Sequence, residues 1–103
     1  MTVWEGSHER LRAALLKALA PHPPEIWGDI DITEPYQQAR RDIFASCRRI
    51  ELPASPGEAT LLHRLTLHGV APWKPQDKAP PVGRMIAYLR PQLASVQDWL
   101  TRP

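Results

Sequence analysis

The spacing of apolar residues predicts an amphipathic helix over residues 7–20. The apolar positions of this segment recur at the intervals of one helical face, at Leu11, Ala14, Leu15, Ala18 and Leu19. Ser7 is a favourable N-cap residue, and Glu9 places a negative charge near the positive end of the helix dipole. Pro21 has no backbone N–H to donate, so the helix is expected to end before it.

A second helix is predicted over residues 33–50. Thr33 is a favourable N-cap residue, and Glu34 and Pro35 both suit a first turn. Viewed down the helix axis, five positions fall within roughly 80° of one another and form a stripe, with Phe44 beside it. These positions are Tyr36, Ala39, Ile43, Cys47 and Ile50. We expect this stripe to be buried.

A third helix is predicted over residues 56–68, because its start has the pattern of a capping box. Ser55 is the expected N-cap, Pro56 occupies the first helical position, and Glu58 follows three residues after the cap. Gly69 is expected to end the helix in a left-handed conformation. The predicted buried stripe consists of Leu61, Leu62 and Leu65.

Apolar residues near the C-terminus recur at alternating intervals of four and three, which is the heptad-like pattern of a helical seam. The seam consists of Val82, Ile86, Leu89, Leu93, Val96 and Leu100. Pro91 interrupts it and predicts either one kinked helix or two helices that meet at Arg90 and Pro91. The seam either packs within the chain or docks on a partner helix, including that of a second copy in a homodimer.

One short stretch alternates in polarity as a half-buried strand does. Ile30 and Ile32 are expected to face inward, while Asp29 and Asp31 face water. The other candidate strand covers residues 49–52, so a short two-stranded ribbon is a further expectation.

Together these segments predict one domain, residues 1–103, of the all-α or mostly α class. The expected architecture is a compact bundle of four to five short helices joined by proline-rich connectors. The 12 prolines favour it, because proline interrupts the hydrogen bonding of a large sheet. With 43% hydrophobic and 23% charged residues, the chain has the composition of a folded domain and not of a disordered segment.

The composition also bears on location. No apolar run approaches the roughly 18 residues of a membrane span, and charged residues interrupt the N-terminal segment. We therefore expect a cytoplasmic protein with no membrane association. Cys47 is the single cysteine, so an internal disulfide is excluded and the residue is expected to be a small buried apolar one.

No motif of catalysis, cofactor binding or metal binding is found in the sequence. The chain lacks a glycine-rich phosphate loop and a nucleophile elbow. The closest histidines, His63 and His68, would point about 140° apart on a helix, which does not suit one metal ion. The acids Asp29, Asp31 and Glu34 lack calcium-loop spacing and are expected to be solvated. We expect a protein that is not an enzyme, with no cofactor and no metal.

The tryptophans are candidates for protein interaction. Trp27 and Trp73 lie in proline-flanked connectors, where a rigid aromatic anchor suits an interface. The alternative is that each of them folds back into a thin core. With these two residues, Lys74 and Trp99 complete the predicted protein-interaction set.

The arginines are candidates for nucleic-acid contact. Arg40, Arg41, Arg48 and Arg49 lie on the second predicted helix, and Arg64, Lys74 and Lys78 would extend this basic patch if the fold brings them near. An arginine-bearing face is also the ordinary solvated side of an amphipathic helix, and it suits an acidic protein partner as well. The net charge of +2 permits an anionic partner without requiring one.

The absence of chemical motifs and the presence of these side chains favour a non-catalytic protein-binding module. Its expected role is that of a small adaptor, accessory subunit or inhibitor docking on a larger protein assembly, as among phage and mobile-element factors. The alternative is a nucleic-acid-binding module or small subunit of a nucleoprotein complex that uses the arginine-rich helix face.

Overall fold

The computed structural model describes residues 1–70, 87–90 and 92–102. This part of the chain is mostly helical and carries a small three-stranded antiparallel sheet, so the fold is α+β. The prediction of a mostly helical protein is confirmed, and the pure bundle is wrong. In chain order the elements are β1 (Thr2–Trp4), α1 (Ser7–Leu19), a 3-10 helix (Pro24–Asp29), α2 (Thr33–Ser46), β2 (Arg49–Glu51), β3 (His68–Gly69) and α3 (Val96–Thr101).

The N-terminal strand β1 lies at the centre of the sheet, between β2 and β3. Trp4 is paired with Arg49 of β2, and Val3 is paired with His68 of β3. The predicted ribbon between residues 30–32 and 49–52 is therefore wrong: the second segment is a strand, but its partner is the N-terminus. The reason is that β1 offers three residues of high strand propensity, which the sequence prediction left unassigned.

The prediction of α1 is confirmed over Ser7–Leu19, one residue short of the predicted end, but the predicted N-cap is wrong. Gly6 is the N-cap and has the left-handed conformation, with φ of 74°. Ser7 is the first helical residue, and its side chain is fully buried. The predicted stripe is confirmed by the buried Leu11, Leu15 and Leu19.

The second helix covers Thr33–Ser46, so it ends four residues earlier than predicted. The predicted N-cap at Thr33 is wrong, because Ile32 is the N-cap and Thr33 is the first helical residue. The Asp31 carboxylate accepts a hydrogen bond of 2.9 Å from the backbone N–H of Thr33 and so satisfies a free N–H at the helix start. Cys47 has extended backbone, and β2 begins two residues later. The residues predicted as the last turn of the helix thus include part of β2.

The predicted third helix over residues 56–68 is wrong. The backbone N–H of Glu58 donates to the Ser55 carbonyl at 3.1 Å, and Gly57 between them has φ of 87°. Proline at the second position and a positive-φ glycine at the third are the signature of a type II turn. Leu61 is 99% exposed whereas Leu65 is buried, so the leucines do not share one face.

The C-terminal seam is not one continuous helix in the described part of the chain. Residues 87–90 have no regular secondary structure, and Leu89 is 93% exposed. Only α3 is helical there, starting after Ser95, whose hydroxyl accepts from the Asp98 backbone N–H at 3.1 Å. Val82, Ile86 and Pro91 lie outside the described residues.

One core joins the helices, and α3 packs against both α1 and the 3-10 helix. Its buried residues are Leu11, Leu15, Leu19, Ala39, Ile43, Leu65 and Leu100. Leu65 enters it from the irregular segment and Leu100 from α3, so two chain regions distant in sequence close the core. In the part of the chain that the structure describes, no helix has the length and hydropathy needed to cross a membrane.

Candidate functional site

Two aromatic rings and two arginines lie together where α2 meets the sheet. We call this set the arginine–aromatic surface: Trp4 of β1, Arg40 and Phe44 of α2, and Arg49 of β2. The ring centroids of Trp4 and Phe44 are 4.7 Å apart with an interplanar angle of 49°. Such tilted contacts are a favourable geometry for aromatic pairs, so each ring holds the other in place.

Phe44 is the exposed member of this aromatic pair. Its side chain is 43% exposed, while Trp4 is half-buried and packs against the core. The guanidinium carbon of Arg40 lies 5.3 Å from the centroid of the Phe44 ring, within the range of a cation–π contact. Arg40 and Phe44 are four positions apart on α2, the spacing that brings side chains together on a helix.

The other two predicted arginines follow α2 instead of extending it. Arg49 lies on β2 directly opposite Trp4, and side chains of directly paired residues share one face of a sheet. Arg48 precedes it, and its carbonyl accepts a hydrogen bond of 2.9 Å from the Glu5 backbone N–H. The prediction of a single arginine-rich helix face is therefore wrong, because the chain turns after Ser46.

Arg41 belongs to a separate side-chain network on α2. It donates to the Gln38 side-chain oxygen at 2.8 Å, and the Gln38 amide donates to the Asp42 carboxylate at 3.0 Å. All four predicted arginines are exposed. Within the described residues none of them forms an ion pair with a carboxylate, the salt bridges there being His8 with Glu9 and Arg102 with Asp98.

One exposed acid lies on the same face of β2 as Arg49. Glu51 follows Arg49 by two residues, and residues two apart on a strand share a face. Asp42 follows Arg40 by two residues and therefore lies on the other side of α2, where it accepts from Gln38. The positive charge near Arg49 is thus interrupted by a carboxylate.

The predicted protein-interaction residues have separate environments. Trp27 is half-buried and packs against the core, and its indole N–H donates to the His22 carbonyl at 3.0 Å. Trp73 and Lys74 lie outside the described residues. Trp99 is 38% exposed on α3.

Trp99 borders a small cleft with a volume of about 210 Å³. Its other lining residues are Leu11, Tyr36, Arg64, Leu65, Thr66, Leu67 and His68. Sites for small molecules usually enclose about 300–1,000 Å³. The cleft therefore has the size for a single side chain and not for a cofactor.

The fold brings together two histidines that the sequence keeps far apart. The rings of His8 and His63 have centroids 5.0 Å apart. An Arg12 terminal nitrogen lies 2.9 Å from Nε2 of His63, and the backbone N–H of Leu65 donates to its Nδ1 at 3.1 Å. Burial lowers the pKa of His63, and the charges of Arg64, Arg12 and His8 lower that pKa further.

The surroundings of this histidine pair suit a structural contact and do not suit metal binding. Among residues 1–70, 87–90 and 92–102, no three histidine, cysteine, aspartate or glutamate side chains are grouped to hold a metal ion. A positively charged guanidinium beside Nε2 of His63 also opposes a cation there.

Arg64, predicted to extend the basic patch, instead donates hydrogen bonds to carbonyls at the end of α3. Its Nε donates to the Trp99 carbonyl at 2.6 Å, and its Nη2 donates to the carbonyls of Asp98 and Arg102. Arg12 also donates to the Arg102 carbonyl, at 3.2 Å. Donors at the C-terminal end of a helix satisfy its last carbonyls and suit the helix dipole. Lys74 and Lys78 lie outside the described residues.

The sequence prediction missed Trp4 and Phe44 as site residues. The separation of Arg40 and Phe44 on a helix was a usable signal, since four residues apart places them side by side. Trp4 carried no such signal, because only the pairing of β1 with β2 places it beside Arg49. No protein-family model matches the chain, and neither a curated protein nor a solved structure matches it either. A proposal of function therefore rests on the arginine–aromatic surface.

Proposed function

We propose that the protein is a non-catalytic protein-binding module that docks on a larger protein through the arginine–aromatic surface. One observation carries the proposal: Phe44 is 43% exposed, yet its ring contacts both Trp4 and the Arg40 guanidinium. Aromatic residues and arginine are enriched at the centres of protein interfaces and among the residues that contribute most to affinity.

The contacts of Phe44 also reduce the cost of binding. A side chain that is mobile before association loses about 0.5–1.5 kcal/mol of conformational freedom when an interface immobilises it. Phe44 already packs on Trp4, and Arg40 already lies over the ring. A partner therefore meets an apolar surface whose side chains are preorganised. We propose that the protein acts as an adaptor, an accessory subunit or an inhibitor.

A nucleic-acid-binding module is the second candidate. It is favoured by the exposed arginines Arg40, Arg41, Arg48 and Arg49, none of which pairs with a carboxylate in the described part of the chain. An aromatic ring between arginines is also a feature of single-strand binding surfaces.

The test is affinity purification from the native cell with the wild-type protein and three single variants as bait. Phe44→Ala is expected to lose a protein partner that the wild type retains, whereas Leu61→Ala is expected to retain it. Leu61 is a matched control, because it is also an apolar exposed residue. Trp99→Ala tests the cleft on α3.

Two further measurements make this experiment decisive. Nuclease treatment of the lysate separates partners held through nucleic acid from direct ones, and thermal unfolding verifies that Phe44→Ala remains folded. Retention of the same partner by Phe44→Ala, or its loss only from Trp99→Ala, would contradict docking through the arginine–aromatic surface. Loss of the partner after nuclease treatment would favour the nucleic-acid candidate.

A further inference from the structure

We infer that the arginine–aromatic surface recognises carboxylate side chains of an acidic protein segment, with Arg40 as its principal donor. This inference rests on the proposed protein-binding function and names the chemistry of the partner.

Phe44 is contacted by an aromatic ring and by a cation. Trp4 packs against the ring at 4.7 Å, and the Arg40 guanidinium lies over it at 5.3 Å. A nucleobase binds such a surface by stacking on an open aromatic face. A base that stacks on the face covered by Arg40 would have to displace the guanidinium and lose its cation–π contact.

The Arg40 guanidinium is available to bind a carboxylate. Arginine presents a planar fork of donors that matches a carboxylate in a bidentate pair. Arg40 is exposed and pairs with no carboxylate in the described residues. Its donors can therefore bind a carboxylate brought by a partner.

Each ring of the surface has one arginine beside it. Arg40 lies over Phe44, and Arg49 is paired with Trp4 across the sheet. A protein segment that combines acidic residues with an apolar side chain matches this combination of arginines and rings. Charge complementarity of this kind determines which partners bind as well as how fast.

An exposed acid lies beside one of the arginines. Glu51 shares a strand face with Arg49, two residues away. The phosphates of a nucleic acid follow one another along the whole backbone, so a strand bound along β2 would pass this carboxylate and be repelled. A peptide carries its charges only at chosen side chains and so avoids this repulsion. The observations favour an acidic protein segment.

The experiment is a titration of the full-length, ¹⁵N-labelled protein monitored by NMR. Three probes are compared: a capped peptide with leucine between pairs of glutamates, the same peptide with glutamine for glutamate, and a short oligothymidylate. The acidic peptide is expected to shift the side-chain Nε–H of Arg40 and the indole N–H of Trp4, and the glutamine peptide is expected to leave both unshifted. Stronger shifts of these signals with the oligothymidylate, or none with the acidic peptide, would overturn the inference.

A conservative substitution tests the role of the planar fork. Arg40→Lys keeps the charge but removes bidentate donation, and it is expected to weaken binding of the acidic peptide about fivefold. Arg41→Lys is the matched control, since Arg41 is bonded to Gln38 and lies outside the surface. Equal affinity of the two variants would overturn the role of Arg40. If a Phe44-dependent protein partner is captured from cells while no acidic peptide binds, the carboxylate inference fails and the proposed function stands.

Discussion

The hydroxyl of Ser7 accepts a hydrogen bond of 2.9 Å from the backbone N–H of Leu67, 60 residues further along the chain. Ser7 is fully buried at the start of α1, and Leu67 immediately precedes β3. The bond therefore joins the first helix to the segment that brings Leu65 into the core. The sequence predicts that Ser7 caps its own helix, but its hydroxyl instead binds the segment that leads into β3.

Ser7→Ala is expected to lower the free energy of unfolding by about 1–3 kcal/mol, because it leaves the partly buried Leu67 N–H without its acceptor. Urea unfolding followed by circular dichroism measures the change. Ser55→Ala is the control, since Ser55 is exposed in the turn, and its effect should be within about 0.5 kcal/mol. Equal losses in the two variants would be inconsistent with the Ser7 bond.

Gly6→Ala is expected to destabilise the protein by about 1–2 kcal/mol through its backbone alone. Gly6 has φ of 74°, and a Cβ added there would meet no atom within 4 Å, so the cost is conformational and not steric. Gly69→Ala is a matched control, because the space around Gly69 is equally open and its φ lies outside the left-handed region. Thermal unfolding of both variants should show a lower midpoint only for Gly6→Ala.

The leucines of the segment that is not helical provide a direct check on the fold. Leu65→Ala is expected to cost about 2–5 kcal/mol because it opens a cavity in the core, whereas Leu61→Ala should cost less than about 0.5 kcal/mol. A helix over residues 56–68 would bury both side chains. Comparable losses of unfolding free energy in the two variants, measured by denaturant unfolding, would therefore support that helix and contradict the turn at Gly57.

His63 is expected to make the protein less stable in mild acid. Burial and the neighbouring cations lower its pKa in the folded protein from the ordinary value of 6.5, so the unfolded chain binds a proton more readily than the folded one. The contribution of His63 to stability is complete above the unfolded value and is lost as the pH falls through the lowered folded pKa.

The measurement compares unfolding free energies at about pH 7.5 and about pH 5 for the wild type and for His63→Gln. The wild type should lose more stability on acidification than the variant, because glutamine does not titrate. Identical acid losses would show that the Arg12 and Leu65 contacts of His63 do not oppose its protonation.

The arginine–aromatic surface could be predicted only in part. Arg40 and Phe44 are neighbours on any helix that covers them, because four residues span slightly more than one turn. Trp4 and Arg49 are brought together by strand pairing between segments 45 residues apart, and no local pattern encodes that pairing. The proximity of Arg40 and Phe44 could thus be predicted from helix α2. The proximity of Trp4 and Arg49 could not, because it depends on the pairing of β1 with β2.

The run at residues 55–58 illustrates why a strong local signal misled. Ser-Pro-Gly-Glu satisfies a capping box and a type II turn equally well, because both place proline after the first residue. A capping box needs Gly57 in a right-handed conformation, whereas the turn uses the positive φ that glycine adopts at little cost. The turn is compatible with the long-range contacts of the segment, in which Leu65 lies in the core and Leu67 is bonded to Ser7.

Local patterns in the sequence suffice to predict α1 and most of α2, because helices are stabilised by contacts within four residues and their apolar stripes recur at that spacing. The prolines also argue against a large sheet, and each strand in the described residues has two or three residues. Long-range contacts decide the sheet, the end of α2 at Ser46, the contact between His8 and His63 and the position of Trp4 beside Arg49. Strand pairing and core closure join distant segments, so their free energy depends on which surfaces are available after the helices have formed.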